Sequence, residues 1–398
     1  MKFQQVLPLS ISADKQITAF YILSFAAGGV IKPFLNLYLV EVGLSASQIG
    51  VIYGWASLGV VVLPPLIGLL ADRTQRHRLI LAVITVIKGL SAPLMLLSSA
   101  WGWLVLLVGT RVVTAGISDG LLTPLTLAYL KENNRQNLGA VRFWGALGFA
   151  LTSLLAGWLA RDTSVAILFP LAGLLGILAV PFVRALPQRI SNRTADARPV
   201  SGLLPKSAHM WLLYAFVFLF AFTLSGPENF LNIHLVQGLG ARNDFIGLIG
   251  AVLYLAPLAG YYLADQLIGE IGGALTMATS FLIYALTWFG YALIGHLIWA
   301  LPLAILQGFG QALYIISMFI LVNQIGSPER ASTDVMLARV TVPGLACILA
   351  GPLSGWIYDQ HGARMLFVLD GVIVLVATAL LLLTYKVLSI GQTGTDEE

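Results

Sequence analysis

Lys32, Lys88, Arg111, Asp119 and Glu228 are charged residues that stand well inside long apolar runs of this 398-residue chain. A charge at the centre of a bilayer costs roughly 2.5 to 3.5 kcal/mol even on lenient insertion scales, so each should face a cavity or a partner rather than lipid. The chemistry open to them is ion binding and proton exchange, or salt bridges that fix helix register. Lys88 suits either role. Arg111 and Asp119 lie eight residues apart, about two helical turns, and therefore share a face. They form either a relay through water or two separate contacts.

Lys32 opens the stretch Lys32-Pro33-Phe34-Leu35-Asn36-Leu37-Tyr38-Leu39-Val40, which returns 196 residues later as Glu228-Asn229-Phe230-Leu231-Asn232-Ile233-His234-Leu235-Val236 with five of nine positions identical. Lys32 and Glu228 sit at matching depth, roughly 12 Å from their helix ends at 1.5 Å per residue. Three arrangements compete. The two pair directly as a gate; Lys32 holds an anionic solute while Glu228 takes a proton; or each pairs within its own half. Asn36 and Asn232 come four residues on, on the same face as the charges. With Trp144 and Gln311 they complete the candidate substrate ligands. Tyr38, Trp55, Tyr254, Gln307 and Tyr314 add amphipathic side chains, for any one of which helix packing is the plainer role. His77, His209, His296 and His361 fall at predicted helix ends and read as solvated, and His234 reads as a packing residue.

The elements that position these residues are set by composition. At 58% hydrophobic and 10% charged, against about 25% charged in globular domains, this is an integral membrane protein. Windows of about 20 apolar residues predict twelve spans, at 17–40, 46–71, 78–99, 102–130, 138–160, 164–184, 210–237, 245–266, 272–294, 298–325, 332–358 and 364–387. Residues 1–16 lack the apolar core of a signal peptide, so the first span is expected to be retained. A basic linker, 185–209, separates an N-terminal six-helix bundle (1–184) from a C-terminal one (210–398). Lys and Arg concentrate on the side of this linker and of both termini, which places that side in the cytoplasm. The net charge of +4 is thus a matter of topology, and no nucleic-acid partner is implied.

Two further landmarks repeat in order. Pro65-Leu66-Ile67-Gly68 with Ala71-Asp72 answers to Pro257-Leu258-Ala259-Gly260 with Ala264-Asp265, and Arg142 with Gly157-Trp158 answers to Arg339 with Gly355-Trp356. The fold class is therefore all-α, with two pseudo-symmetric six-helix bundles and a site between them near the midplane. The single cysteine, Cys347, excludes an internal disulfide and a cysteine-based metal cluster. Gly308-Phe309-Gly310 is preceded by no strand and is no nucleotide loop. No catalytic residues, metal or cofactor are expected. The expected partners are a small-molecule substrate and the bilayer, with the chain functional as a monomer.

Gly68-Leu69-Leu70-Ala71-Asp72-Arg73-Thr74-Gln75-Arg76-His77-Arg78 resembles the signature loop of the major facilitator superfamily, Gly-x-x-x-Asp-Arg-x-Gly-Arg-Arg, with Gln75 in place of the second glycine. The resemblance implies alternating access, with Asp72 and Arg73 in a conformational latch whose partner is Arg142 or the start of the eleventh helix near Ser332 and Thr333. A loop that merely anchors topology is the alternative. Pro33 to Leu39, Arg142-Phe143-Trp144-Gly145-Ala146-Leu147-Gly148 and Gly355-Trp356-Ile357-Tyr358-Asp359 resemble the branch of lactose permease-like and phenylpropionate permease-like proton symporters. Arg111-Val112-Val113-Thr114-Ala115-Gly116 resembles the motif whose arginine is tied to proton coupling, its glycine one place late. Resemblance to this branch implies a proton-coupled symporter of a sugar, nucleoside or aromatic acid in the bacterial inner membrane. Glu228, Asp119 and Arg111 would handle the proton, which serves as coupling ion. A proton-driven efflux antiporter of drugs or sugars is the alternative, and a non-transporting membrane sensor on the same fold is a third reading.

Overall fold

Proline and glycine decide where the helices of this chain turn. The computed structural model describes residues 12–133, 138–188, 207–326 and 330–389. Helix α1 (Ala13–Ile31) stops before Pro33, whose ring removes a backbone donor and crowds the preceding turn; Lys32 to Phe34 form a turn, and α2 (Leu35–Glu41) resumes the path. Helix α3 (Ala46–Thr74) opens on a capping box: Ser45 Oγ accepts from the Gln48 N–H, and Gln48 Oε1 accepts from the Ser45 N–H. Helices α4 (His77–Leu94), α5 (Trp101–Glu132), α6 (Leu138–Leu159) and α7 (Leu168–Ala179) complete the first half. The second half holds α8 (Ala208–Ile233), α9 (Asn243–Leu293), α10 (Ala300–Ile325), the short α11 (Ala331–Met336) and α12 (Val342–Ser389).

Among the described residues ten helical spans are long and apolar enough to cross a membrane. Two of them run to 51 and 54 residues, over 75 Å if straight at about 1.5 Å per residue. Neither is straight. Gly272 (φ 80°, ψ 165°) interrupts α9 and Gly362 (φ 79°, ψ 173°) interrupts α12, in a backbone region open to glycine almost alone. The chain reverses at Gly272. Before it, Pro257 and Gly260 approach Gly308 and Ala312, parallel to α10; after it, Gly273 and Gly290 approach Leu321 and Leu303, antiparallel to α10.

The two halves meet along two seams, α3 against the first leg of α12 and α6 against the first leg of α9, with α2 resting on α8. Backbones touch there. A Cβ on Gly50 would stand 2.2 Å from the Gly351 carbonyl oxygen, and one on Gly247 would stand 2.4 Å from that of Ser153. These contacts gather at the face opposite the described chain ends, called here the distal face. Toward the terminal face α3 runs on with Val62, Leu66 and Leu69 exposed, and α6 begins with Phe143 exposed. The sequence-defined linker 185–209 is described only at its ends, residues 189–206 lying outside the described set.

Candidate functional site

Lys32, Asp119, Glu228 and Gln311 are exposed, although each stands in the middle of an apolar span. The neighbours Ile31, Phe34 and Phe230 are fully buried. A charge exposed between buried neighbours in a spanning helix opens onto an interior space rather than lipid, where its cost would be prohibitive. Lys32 caps α1, its N–H still donating to the Gly28 carbonyl at 2.8 Å, and its Nζ lies over the Tyr254 ring at 5.8 Å, a cation–π contact. Tyr254 in turn stacks on Phe149 at 3.4 Å and meets Phe25 edge-on. Helices α1, α6 and α9 thus hold the ammonium in an aromatic bracket.

Both Glu228 and Asp119 lie within Coulombic reach of Lys32, and Glu228 also reaches Tyr53, Tyr284 and Cys347. Among the described residues, no ion pair includes Lys32, Asp119 or Glu228. Two carboxylates, from α5 and α8, therefore stand within Coulombic reach of one cation without pairing with it. Arg111, two turns from Asp119, turns away into the first half, where it is buried and donates to the Lys88 carbonyl at 3.3 Å. Lys88 and Arg111 line a small cavity with Ser24 and Thr85. Among the described residues no ion pair joins Arg111 to Asp119, and both lie within Coulombic reach of Lys88.

Asn36 and Asn232 are placed differently from the charges. Asn36 Nδ2 donates to the Asn229 carbonyl at 2.8 Å, and Asn232 Nδ2 donates to the Pro33 carbonyl at 2.8 Å. Position 229 answers to 33 in the repeat as 232 answers to 36, so the two bonds are one interaction made twice across the pseudo-twofold axis. Asn36 Oδ1 is also occupied, accepting from Tyr53 at 2.7 Å. In this conformation the asparagines clasp the halves. The Pro33 turn takes Asn36 off the face of Lys32, because four residues span one helical turn only where the helix is continuous; Glu228 and Asn232 both lie within α8.

Trp144 stands apart from the charges. It shares a face of α6 with Leu151, Leu155 and Trp158, all exposed, an apolar stripe suited to lipid. Gln311 is exposed one turn from Gln307, which accepts from Tyr291 at 3.4 Å. At the terminal face, the Asp72 carboxylate is 61% exposed and meets His77 Nε2 at 2.9 Å. Gln75, where the family pattern has glycine, adopts the left-handed φ of 54° that closes this turn, and donates to the Asp72 carbonyl. Arg73 is exposed, and Arg142 donates to Thr123 at 3.0 Å; the Ser332 side chain lies outside the described residues. His77 corrects the expectation of a solvated histidine: it is buried beneath Asp72, while His209, His296 and His361 are exposed and His234 packs edge-on against Phe367. Sequence reasoning missed Tyr53, Asp359 and Asp370. Asp359 accepts the Ala46 and Ser47 N–H groups at 3.0 and 2.8 Å, across the first seam. Asp370 could have been found by the same rule that picked out Glu228, as a lone carboxylate in an apolar span.

A family model described as the MFS_1 like family matches residues 15–369. The maltose permease of Geobacillus stearothermophilus is 28% identical over 374 residues, covering 92% of this chain and 93% of that protein. The quinolone resistance protein NorA of Staphylococcus aureus is 28% identical over 174 residues, 42% of this chain and 43% of NorA. Among solved structures, the nucleoside transporter NupG superposes with a TM-score of 0.82 at 18% identity, covering 94% of this chain and all of that one. At that identity the likeness is one of fold.

Proposed function

Since the chain belongs to the MFS_1 like family and is a transporter of the major facilitator superfamily rather than an enzyme, we propose that it is a proton-coupled symporter of a small polar solute of sugar or nucleoside type, working by alternating access. The observation that carries this is the trio of Lys32, Asp119 and Glu228, exposed within apolar spans, with both carboxylates in Coulombic reach of the lysine and neither in an ion pair with it among the described residues. Lys32 and Gln311 bind the solute's oxygens, with the Tyr254 ring beneath. Glu228 takes the coupling proton. The full-length similarity to a maltose permease and the fold of a nucleoside transporter support the solute class.

The broken helices α9 and α12, read as two crossing legs each, bring the count to twelve spans. With both termini in the cytoplasm, as the basic loops suggest, the conformation described is closed outward by its seams and parted inward. Asp72, Arg73 and Arg142 then stand on the open side, where a latch of the outward-open state would be undone.

The test is uptake of labelled maltose and uridine into proteoliposomes under an imposed inward proton gradient. Uptake driven by the gradient and abolished as concentrative transport in Glu228→Gln is the expected result. Gradient-driven uptake that keeps its pH dependence in Glu228→Gln would remove Glu228 from the coupling role. A second reading, proton-driven efflux, is favoured by the partial similarity to NorA; it requires the same gradient to empty preloaded vesicles.

A further inference from the structure

Asp370, on the second leg of α12, is 3% exposed, and its Oδ2 is buried with no hydrogen-bond partner. The reason it lies so deep is Gly226 on α8: a Cβ there would stand 2.4 Å from Asp370 Oδ2. Only the missing side chain admits the carboxyl group to the α8 backbone. The next residue, Pro227, lies inside α8 and has no N–H, so the carbonyl four residues before it, on Thr223, has lost its helical donor. Thr223 is fully buried and shares a face with Gly226, three residues on. The orphaned carboxyl oxygen thus lies against Gly226, one helical turn from a carbonyl without its helical donor.

The charged and titratable groups nearby do not compensate Asp370. On α8 these are Glu228, two residues past Gly226, and His234, which packs on Phe367. On α9 the group is Tyr291, against Phe367 and bonded to Gln307, and on α12 itself it is Arg364, which donates to the Ala292 carbonyl. Among the described residues no ion pair includes Asp370, and no hydrogen bond reaches its Oδ2. An ionised carboxylate with neither donor nor counter-charge in an apolar layer is far more costly than its protonated form.

We propose that Asp370 is a proton-binding site: here it is a neutral carboxylic acid seated on Gly226, with the Thr223 carbonyl as acceptor for its O–H. Its ionisation requires water to reach the carboxyl group between α8 and the second leg of α12; the proton then leaves as hydronium and the carboxylate remains on α12. The site does not depend on solute transport, and its readout is chosen accordingly.

The experiment is infrared spectroscopy of the full chain in lipid nanodiscs, titrated across pH. A carboxylic acid C=O band that persists at neutral pH, far above the ordinary aspartate value of about 4, is expected in the wild type. It should shift on labelling with carbon-13 aspartate, vanish in Asp370→Asn, and titrate at lower pH in Gly226→Ala, where the added methyl displaces the carboxyl group. Absence of any aspartate-labelled acid band at neutral pH in the wild type overturns the proposal even if the Asn variant does not fold. A band unchanged in a folded Asp370→Asn overturns it too. Loss of proton-coupled uptake elsewhere in the molecule leaves this band in place, so failure of the transport reading and failure of this one are distinct results.

Discussion

The two seams that join the halves use corresponding parts of the repeat, yet they are fastened by opposite charges. In both, the glycine of a Gly-Trp pair abuts the opening turn of the partner helix: Gly355 lies against Ala46 and Ser47 of α3, and Gly157 against Asn243 and Asp244 of α9. Four residues beyond that glycine the first seam has Asp359, which accepts two backbone N–H groups from the start of α3. The matching position in the second seam is Arg161, whose Nε meets Asp244 at 3.1 Å, flanked by the Arg242–Asp162 pair. The first turn of α3 has no acidic residue while that of α9 contains Asp244. A carboxylate is thus welcome at the positive end of α3, and would be repelled at α9, where an arginine serves. The duplication preserved backbone approach and let the charge suit its local partner.

The common part of the comparison is broken most severely by giving a seam glycine a side chain. Gly50→Val sets a methyl-bearing carbon against the Gly351 carbonyl, and Gly157→Val does the same against α9. Overpacking of this kind costs roughly 1 to 3 kcal/mol, here levied on the closed distal face alone. A shift of about tenfold or more in the closed-to-open ratio is expected from either substitution. Spin labels at Glu41 and Gln237, after Cys347→Ser, report it as a longer distance population. If one glycine variant opens the face and the other leaves it closed, the seams are not equivalent.

The unlike part is probed next by Asp359→Asn. It retains shape and loses the charge assistance of two N–H bonds, an effect of about 1 to 2 kcal/mol on the closed state. The same labels should show a smaller shift than Gly50→Val gives. An effect equal to that of the glycine variant would mean that the first seam is held by its carboxylate and not by its backbone contact.

How far this architecture was legible can be traced residue by residue. The apolar windows and the returning Phe-Leu-Asn core exposed the helical class and the duplication, because both are properties of local composition and spacing. Lys32 and Glu228 were legible as intramembrane charges for the same reason. The job of Asn36 and Asn232 was not, since it depends on Pro33 turning the chain and on carbonyls offered by the other half, 193 and 199 positions away. Trp144 looked like a ring for stacking, and only its alignment with Leu151 and Leu155 in space sets it on the outer stripe. Asp359 sat beyond a predicted helix end, where a carboxylate gives no sign of which N-terminus it caps. Asp370 was visible to the rule applied to Glu228; what the sequence could not supply was Gly226, on another helix, making room for it.

The finest probe of the difference is the Arg161–Asp244 pair. Its side chains are 43% and 35% exposed, so a double-mutant cycle with Arg161→Gln and Asp244→Asn should give a coupling of only about 0.2 to 1 kcal/mol. Being partly exposed, the coupling should shrink as salt rises from about 0.1 to 1 M, where the screening length falls from about 10 to 3 Å. The effect of Asp359→Asn, carried by short bonds to backbone, should change less over the same range. The two chemistries can also be exchanged. Arg161→Asp alone places two carboxylates at the start of α9 and should open the seam, whereas Arg161→Asp with Asp244→Ser re-creates the arrangement of the first seam, an aspartate facing an uncharged helix N-terminus, and should restore closure. Closure that is not restored would mean that α9 offers no free N–H groups there, and that the sign of the charge at position 161 is set by more than Asp244.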